Sequence, residues 1–325
     1  MSAGTIEATR VRAASTKRAG ASQQTRKARA FYGFVAPWAV GFTLLTVFPL
    51  GYAFWLSLTD AQAITPRWHF VGLANYAELF SDSTTLASLA KTGLFTVITV
   101  PLGIIAGLTL AVMVNRPIKM RGLFRTLLYL PAVVPPVGAA LTFKLIFDRD
   151  AGAANGILGI FDANPVTWIT DPYARYVMIM LTLWGVGGSM IISLAGLQDI
   201  PKELHEAARV DGASAWKAFR HVTLPLLSPV LFFQVVTGVI GSLQTFAPLL
   251  LAPNGTTSGV TAVPQSNYFY MINVLAQYFA YGRFGYASAL LWVLFAVIMI
   301  VTGIIFKVSG RMVFYSAEPD GSTKK

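Results

Sequence analysis

Apolar residues along the chain gather into six long runs separated by short polar stretches. The runs cover approximately residues 31–58, 92–114, 123–147, 173–197, 225–250 and 286–308. Each supplies the roughly 20 helical residues needed to cross a bilayer core of about 30 Å. The pattern predicts an all-α membrane protein whose six transmembrane helices occupy residues 31–308. Pro248 and Pro253 interrupt the far end of the fifth run. Pro37, Pro49, Pro101, Pro131, Pro135 and Pro136 lie inside runs, where each frees a backbone carbonyl that lipid cannot satisfy. A bundle around a solute path accommodates that, and so do kinked helices in a packed bundle.

The polar stretches carry the charge. Residues 1–30 hold seven Lys or Arg against a single acid, Glu7, with small polar residues between them. Such a segment cannot bury enough apolar surface to fold, so it reads as a disordered basic tail. Residues 309–325 form a second tail. Six crossings put both tails on one side. Seven basic residues in the first tail, four around the 115–125 turn, four in the 198–224 loop and four at the C-terminal end place 19 of the 25 on that side. By the positive-inside rule, both termini are cytoplasmic and the protein is a multi-pass component of the cell membrane, surrounded by lipid.

Composition narrows the chemistry. Hydrophobic residues make up 55% and charged residues 12%, about half the charged share of soluble domains. Cysteine is absent and there are only three histidines, His69, His205 and His221, with no metal-site spacing. The net charge of +11 would suit nucleic acid, but its one-sided distribution explains it as topology. No catalytic cluster stands out, and no Gly-rich phosphate loop is present, so the chain reads as a non-enzyme without cofactor or metal of its own.

The 198–224 loop has the most local structure written into it. Pro201 opens a helix, residues 201–210 are good helix formers, and Asp211-Gly212 is a stop at which glycine can turn left-handed. Ser214 caps a second short helix that runs toward Pro225 and the fifth span. The product is a helix-turn-helix on the cytoplasmic face. Ala207 and Ala208 let a partner approach the backbone, and Glu206 offers an anchoring charge. An amphipathic surface helix without a partner has the same features.

Glu206-Ala207-Ala208, Asp211-Gly212-Ala213, Phe219, Leu224-Pro225 and Pro229 resemble the EAA loop of permease subunits in binding-protein-dependent ABC importers. Phe70 to Tyr76, Phe124-Arg125-Thr126 with Leu130-Pro131, Ala195 to Pro201 and Gly285 to Ala289 are similar to the maltose-type carbohydrate branch. The similarity runs from about Phe31 to Lys307. One departure is the stretch from Ala252 to Gly259, which replaces a Gly-Gly-Pro-Gly-like run and leaves the outer loop's preference open.

The resemblance implies a second permease subunit, two cytoplasmic ATPases that carry ATP-Mg, and an extracytoplasmic solute-binding protein. It assigns ATPase coupling to Glu206, Ala207, Ala208, Asp211, Gly212 and Ala213. It also directs attention to the helices flanking the loop for a sugar or related polar solute. These carry Trp184, Gly185, Gly188, Ser189 and Ser193 on one side, and Gly238, Gly241, Ser242, Gln244, Thr245 and Phe246 on the other. Aromatic faces beside hydroxyls and amides suit a sugar, while Gly and Ser equally serve helix packing. An ion-coupled secondary carrier is the rival class, and it would normally place acids within its spans.

Overall fold

A computed structural model describes residues 29–65, 67–117, 119–252 and 259–310. The basic N-terminal tail to residue 28 and the C-terminal tail from 311 lie outside the described residues. What is described is helical apart from loops and an isolated antiparallel bridge, Thr59 to Phe70. Five helices are long and apolar enough to cross a membrane, or six if a bent pair counts as one crossing.

The first helix, α1, spans Arg29–Ser57, and no residue of its most apolar window is buried. Its turn at Thr43–Val47 widens into a π-helix two residues before Pro49. A proline ring clashes with the carbonyl four residues earlier, here that of Leu45, and the widened turn gives that carbonyl room. Among the described residues, those up to Leu56 and those from Ser57 onward form separate compact units.

In the second unit α2 (Ala74–Ser81) leads into α3 (Ser83–Asn115). The second span thus begins nine residues before the apolar run does, because Asp82 caps it. The carboxylate accepts from the Thr84 N–H at 2.9 Å and from the Thr85 hydroxyl at 2.5 Å. Partial burial pushes the Asp82 carboxyl upward, but these bonds outweigh it and hold the group below the usual carboxylate range.

The third run is not one straight span. It divides into α4 (Arg121–Val133) and α5 (Pro136–Ile146), bent by 96°. Consecutive prolines at 135 and 136 account for the break, since the residue before a proline avoids helical geometry. A short α6 (Ala153–Ile160) follows. The fourth run becomes α7 (Ala174–Trp184) and α8 (Gly187–Asp199), with Gly185 and Val186 between them.

After α9 (Lys202–Val210) comes α10 (Ala215–Leu243). The expected second short helix is therefore no separate element: it runs through a π-helical turn at Phe219–Thr223 straight into the span. Pro225 stands two residues beyond that turn, repeating the arrangement before Pro49. The fifth run ends early, at Leu243, and α11 (Ala247–Leu251) is a separate short piece. After α12 (Tyr270–Leu275), α13 (Phe284–Ser309) is the last helix among the described residues.

Two kinds of contact tie α3 to the rest of the unit. At one end, Ala111 and Val114 of α3 pack with Met190, Leu194 and Leu197 of α8 and Leu227 of α10. At the other, the 265–275 segment docks on α3. The Tyr270 N–H donates to Thr92 Oγ1 at 2.8 Å, Asn273 Nδ2 donates to Thr85 Oγ1 at 2.7 Å, and Lys91 Nζ donates to the Gln265 carbonyl at 2.6 Å. Gly187, at the start of α8, meets α4 so closely that a Cβ there would overlap the Leu128 carbonyl. Only glycine permits that approach.

Candidate functional site

The helices α3, α7, α8 and α10 surround a cavity of about 400 Å³. Its wall is made of Phe95, Thr99, Val100, Gly103 and Ile104 from α3, Thr182 from α7, Ser189 and Ile192 from α8, and Gln234, Thr237, Gly238, Gly241 and Ser242 from α10. Gly185 and Val186, between α7 and α8, and Thr245, just past α10, complete it. No ionisable side chain lines it.

Gln234 organises the wall. It is buried in the middle of α10, where an unpaired amide would be costly. Its carbonyl accepts from the Ser189 hydroxyl, and its amide donates to Ser193 Oγ at 2.9 Å, so both ends of the group are satisfied by α8. A second tie joins Thr96 of α3 to Ser242 of α10, hydroxyl to hydroxyl at 2.9 Å.

Three threonine hydroxyls of the wall are spent on the helices themselves. Thr99 donates to the Phe95 carbonyl at 2.8 Å, Thr182 to Met178 at 2.9 Å and Thr237 to Phe233 at 2.8 Å. With its proton committed, each oxygen presents lone pairs to the cavity. The wall thus offers acceptors to a ligand rich in O–H donors, alongside the apolar surface of Phe95.

Of the path residues singled out in the sequence, Gly185, Ser189, Gly241, Ser242 and Thr245 line this cavity, and so does Gly238. Trp184, Gly188 and Gln244 do not. Trp184 stands edge-on to Phe143, ring centres 5.7 Å apart, as part of a packed cluster. Gln244 terminates α10 with its side chain exposed. Sequence reasoning missed the whole contribution of α3, and with it Gln234, Thr237 and Thr182. A signal existed: Thr85, Ser88, Thr92, Thr96 and Thr99 recur at helical spacing and are all buried, marking a polar stripe on an otherwise apolar span.

The residues to which the resemblance assigns coupling sit together elsewhere. No residue of α9 is buried, and Glu206 and Ala207 are exposed. The turn after α9 is closed by three backbone bonds. Asp211 N–H reaches the Ala207 carbonyl at 3.0 Å, Gly212 reaches Arg209 at 3.1 Å, and Ala213 reaches Ala208 at 2.9 Å. The last two form a Schellman motif, which requires a left-handed residue, and Gly212 supplies it with φ 73°. Ser214 then caps α10, accepting from the Lys217 N–H at 3.4 Å. The result is a stiff, outward-facing corner whose inner side covers a cavity of about 470 Å³ lined by Asn115, Arg116, His205 and Arg209 among others.

Comparison with known proteins agrees with this architecture. The family described as binding-protein-dependent transport system inner membrane component matches residues 99–314. The probable ABC transporter permease protein YesP of Bacillus subtilis is 34% identical over 294 residues, covering 89% of this chain and 93% of the relative. The trehalose/maltose transport system permease protein MalF of Thermococcus litoralis is 32% identical over 286 residues, covering 87% and 94%. The arabinooligosaccharides transport system permease protein AraP of Bacillus subtilis is 33% identical over 289 residues, covering 87% and 90%. In fold, the chain is similar to a crystal structure of a bacterial ABC transporter involved in the import of the acidic polysaccharide alginate. There the TM-score is 0.74 at 19% identity, over 90% of this chain and 99% of that one.

Proposed function

Because the chain belongs to the inner membrane components of binding-protein-dependent transport systems, we propose that the cavity among α3, α7, α8 and α10 is the path of a sugar through an ABC importer. Membership makes the chain a non-catalytic, multi-pass permease subunit of the membrane, and ATP hydrolysis belongs to separate ATPase subunits. The observation that carries the solute assignment is the wall itself. Hydroxyl acceptors, one amide and an aromatic ring, with no charge, match the hydroxyls and apolar patches of a neutral sugar. Relatives named for trehalose, maltose and arabinooligosaccharides support that class. An ion-coupled carrier would call for an acid or a paired charge along the path, and the wall holds none.

The 202–213 corner is, in this reading, the cytoplasmic contact for an ATPase that carries ATP-Mg. Glu206, Ala207, Ala208, Asp211, Gly212 and Ala213 form the docking surface. A second permease subunit completes the path and a second ATPase the motor. An extracytoplasmic solute-binding protein delivers the sugar, a reading supported by the similar alginate ABC transporter solved in complex with an alginate pentasaccharide-bound periplasmic protein. ATP-driven closure of the ATPases moves the corner and switches access across the bundle. The drive comes from contacts that differ between the two states.

Uptake of a panel of neutral and acidic oligosaccharides by the reconstituted complex tests the solute class. Neutral sugars are expected to be taken up and to stimulate hydrolysis, and uptake confined to uronates or amino acids would refute the assignment. Orientation is tested by single cysteines in a chain that has none of its own. Ile160→Cys should react with an impermeant reagent in intact cells and Val210→Cys only after permeabilisation, and the reverse would invert the topology.

A further inference from the structure

A second cavity in the spanning region differs from the path in chemistry. Between residues 220–235 of α10 and the end of α13 lies a groove of about 690 Å³ whose wall includes Leu224, Leu231, Val235, Ile304 and Val308. Phe232, also in the wall, stands edge-on to Phe306 with ring centres 5.0 Å apart. One ionisable side chain lines the groove, that of Arg220.

Arg220 sits on the π-helical turn at Phe219–Thr223, is exposed, and has no ion-pair or hydrogen-bond partner among the described residues. Lys307 lies in the last turn of α13, and His221 follows Arg220 on the π-helical turn. The lining runs from residue 220 to residue 235 along α10, about 22 Å of helix, which is more than half the thickness of a bilayer core of about 30 Å.

We propose that this groove binds an anionic phospholipid, with its phosphate at Arg220 and an acyl chain along α10 and α13. The occupant must be apolar along most of its length and negative at one end. A phospholipid meets both requirements, and basic pockets between spans are where anionic headgroups bind. The chain's own N-terminal tail does not, because its seven Lys or Arg against one acid would meet Arg220 with like charge. The volume falls within the range of about 300–1,000 Å³ usual for small-molecule sites. Assigning the lipid to the cytoplasmic leaflet rests on the orientation proposed above. The groove and its test do not.

The test is native mass spectrometry of the full-length chain in detergent, titrated with phosphatidylglycerol, phosphatidylcholine or inorganic phosphate. Wild type should retain phosphatidylglycerol in preference to phosphatidylcholine, and inorganic phosphate should not displace it. Arg220→Gln should weaken phosphatidylglycerol about fivefold, the effect of one surface cation, and leave phosphatidylcholine unchanged. Arg220→Lys should restore the preference, and Val308→Trp, which fills the groove, should lower retention of both lipids. Lys119→Gln, a cation away from the groove, should change nothing. Equal retention by wild type, Arg220→Gln and Val308→Trp would overturn the proposal. So would displacement by inorganic phosphate, an effect of Lys119→Gln as large as that of Arg220→Gln, or cross-linking of Val308→Cys to another subunit in the assembled complex.

Discussion

The cavity wall and the 202–213 corner are both polar, yet they are held by different means. At the cavity, Gln234, Ser189 and Ser193 form a partly buried network between α8 and α10, and each partner depends on the others for its hydrogen bonds. At the corner the backbone satisfies itself through the Schellman bonds, and Glu206 and Ala207 of α9 are left exposed. A substitution in the network therefore disturbs structure and recognition together. A substitution at the corner can abolish the proposed docking contact while the fold stays intact.

The largest effect on transport is expected at the corner. Glu206→Lys reverses an exposed charge at the proposed ATPase contact, and like-charge juxtaposition across an interface costs several kcal/mol, each ~1.4 kcal/mol being tenfold. Solute-stimulated hydrolysis and uptake should fall more than tenfold, with the thermal stability of the permease unchanged. A loss of stability in parallel would erase the distinction between the two regions.

Gln234→Leu probes the network. It removes both bonds to α8 and leaves the Ser189 and Ser193 hydroxyls without those partners, at a cost of about 1–3 kcal/mol. Melting in detergent should move down along with uptake, unlike the result for Glu206→Lys. Gln244→Ala sharpens the comparison from the other side. Its side chain is exposed and outside the wall, so stability should change by less than about 0.5 kcal/mol and uptake hardly at all. A marked uptake defect in Gln244→Ala would show that the solute path extends beyond the cavity described.

How far each region is legible in the sequence follows from the same contrast. The corner is written in consecutive residues, so Asp211-Gly212 and Ser214 announce its turn and cap without any knowledge of the fold. The cavity is assembled from three stretches more than 40 residues apart in places, such as Ser189 and Gln234. Only helix packing reveals that Gln234 and Thr99 share a wall. Reading the two segments beside the loop located Ser189, Ser242 and Thr245 but also drew in Trp184, whose ring is committed to Phe143. The apolar runs marked where the spans lie. Their ends depended on local chemistry that hydropathy ignores: the Asp82 cap lengthens α3, Pro135-Pro136 bends the third run by 96°, and a widened turn before Pro225 joins the loop helix to the fifth span within α10.

The central claim, that solute passes through the cavity among α3, α7, α8 and α10, is most directly tested by protection of a single cysteine. In the reconstituted complex, Thr237→Cys would be labelled with a small hydrophilic thiol reagent in the presence and absence of the transported sugar, with Gln244→Cys as reference. The account expects the sugar to slow labelling at position 237 severalfold and to leave position 244 unaffected. Equal labelling rates at 237 with and without sugar, in a complex that transports normally, would contradict it.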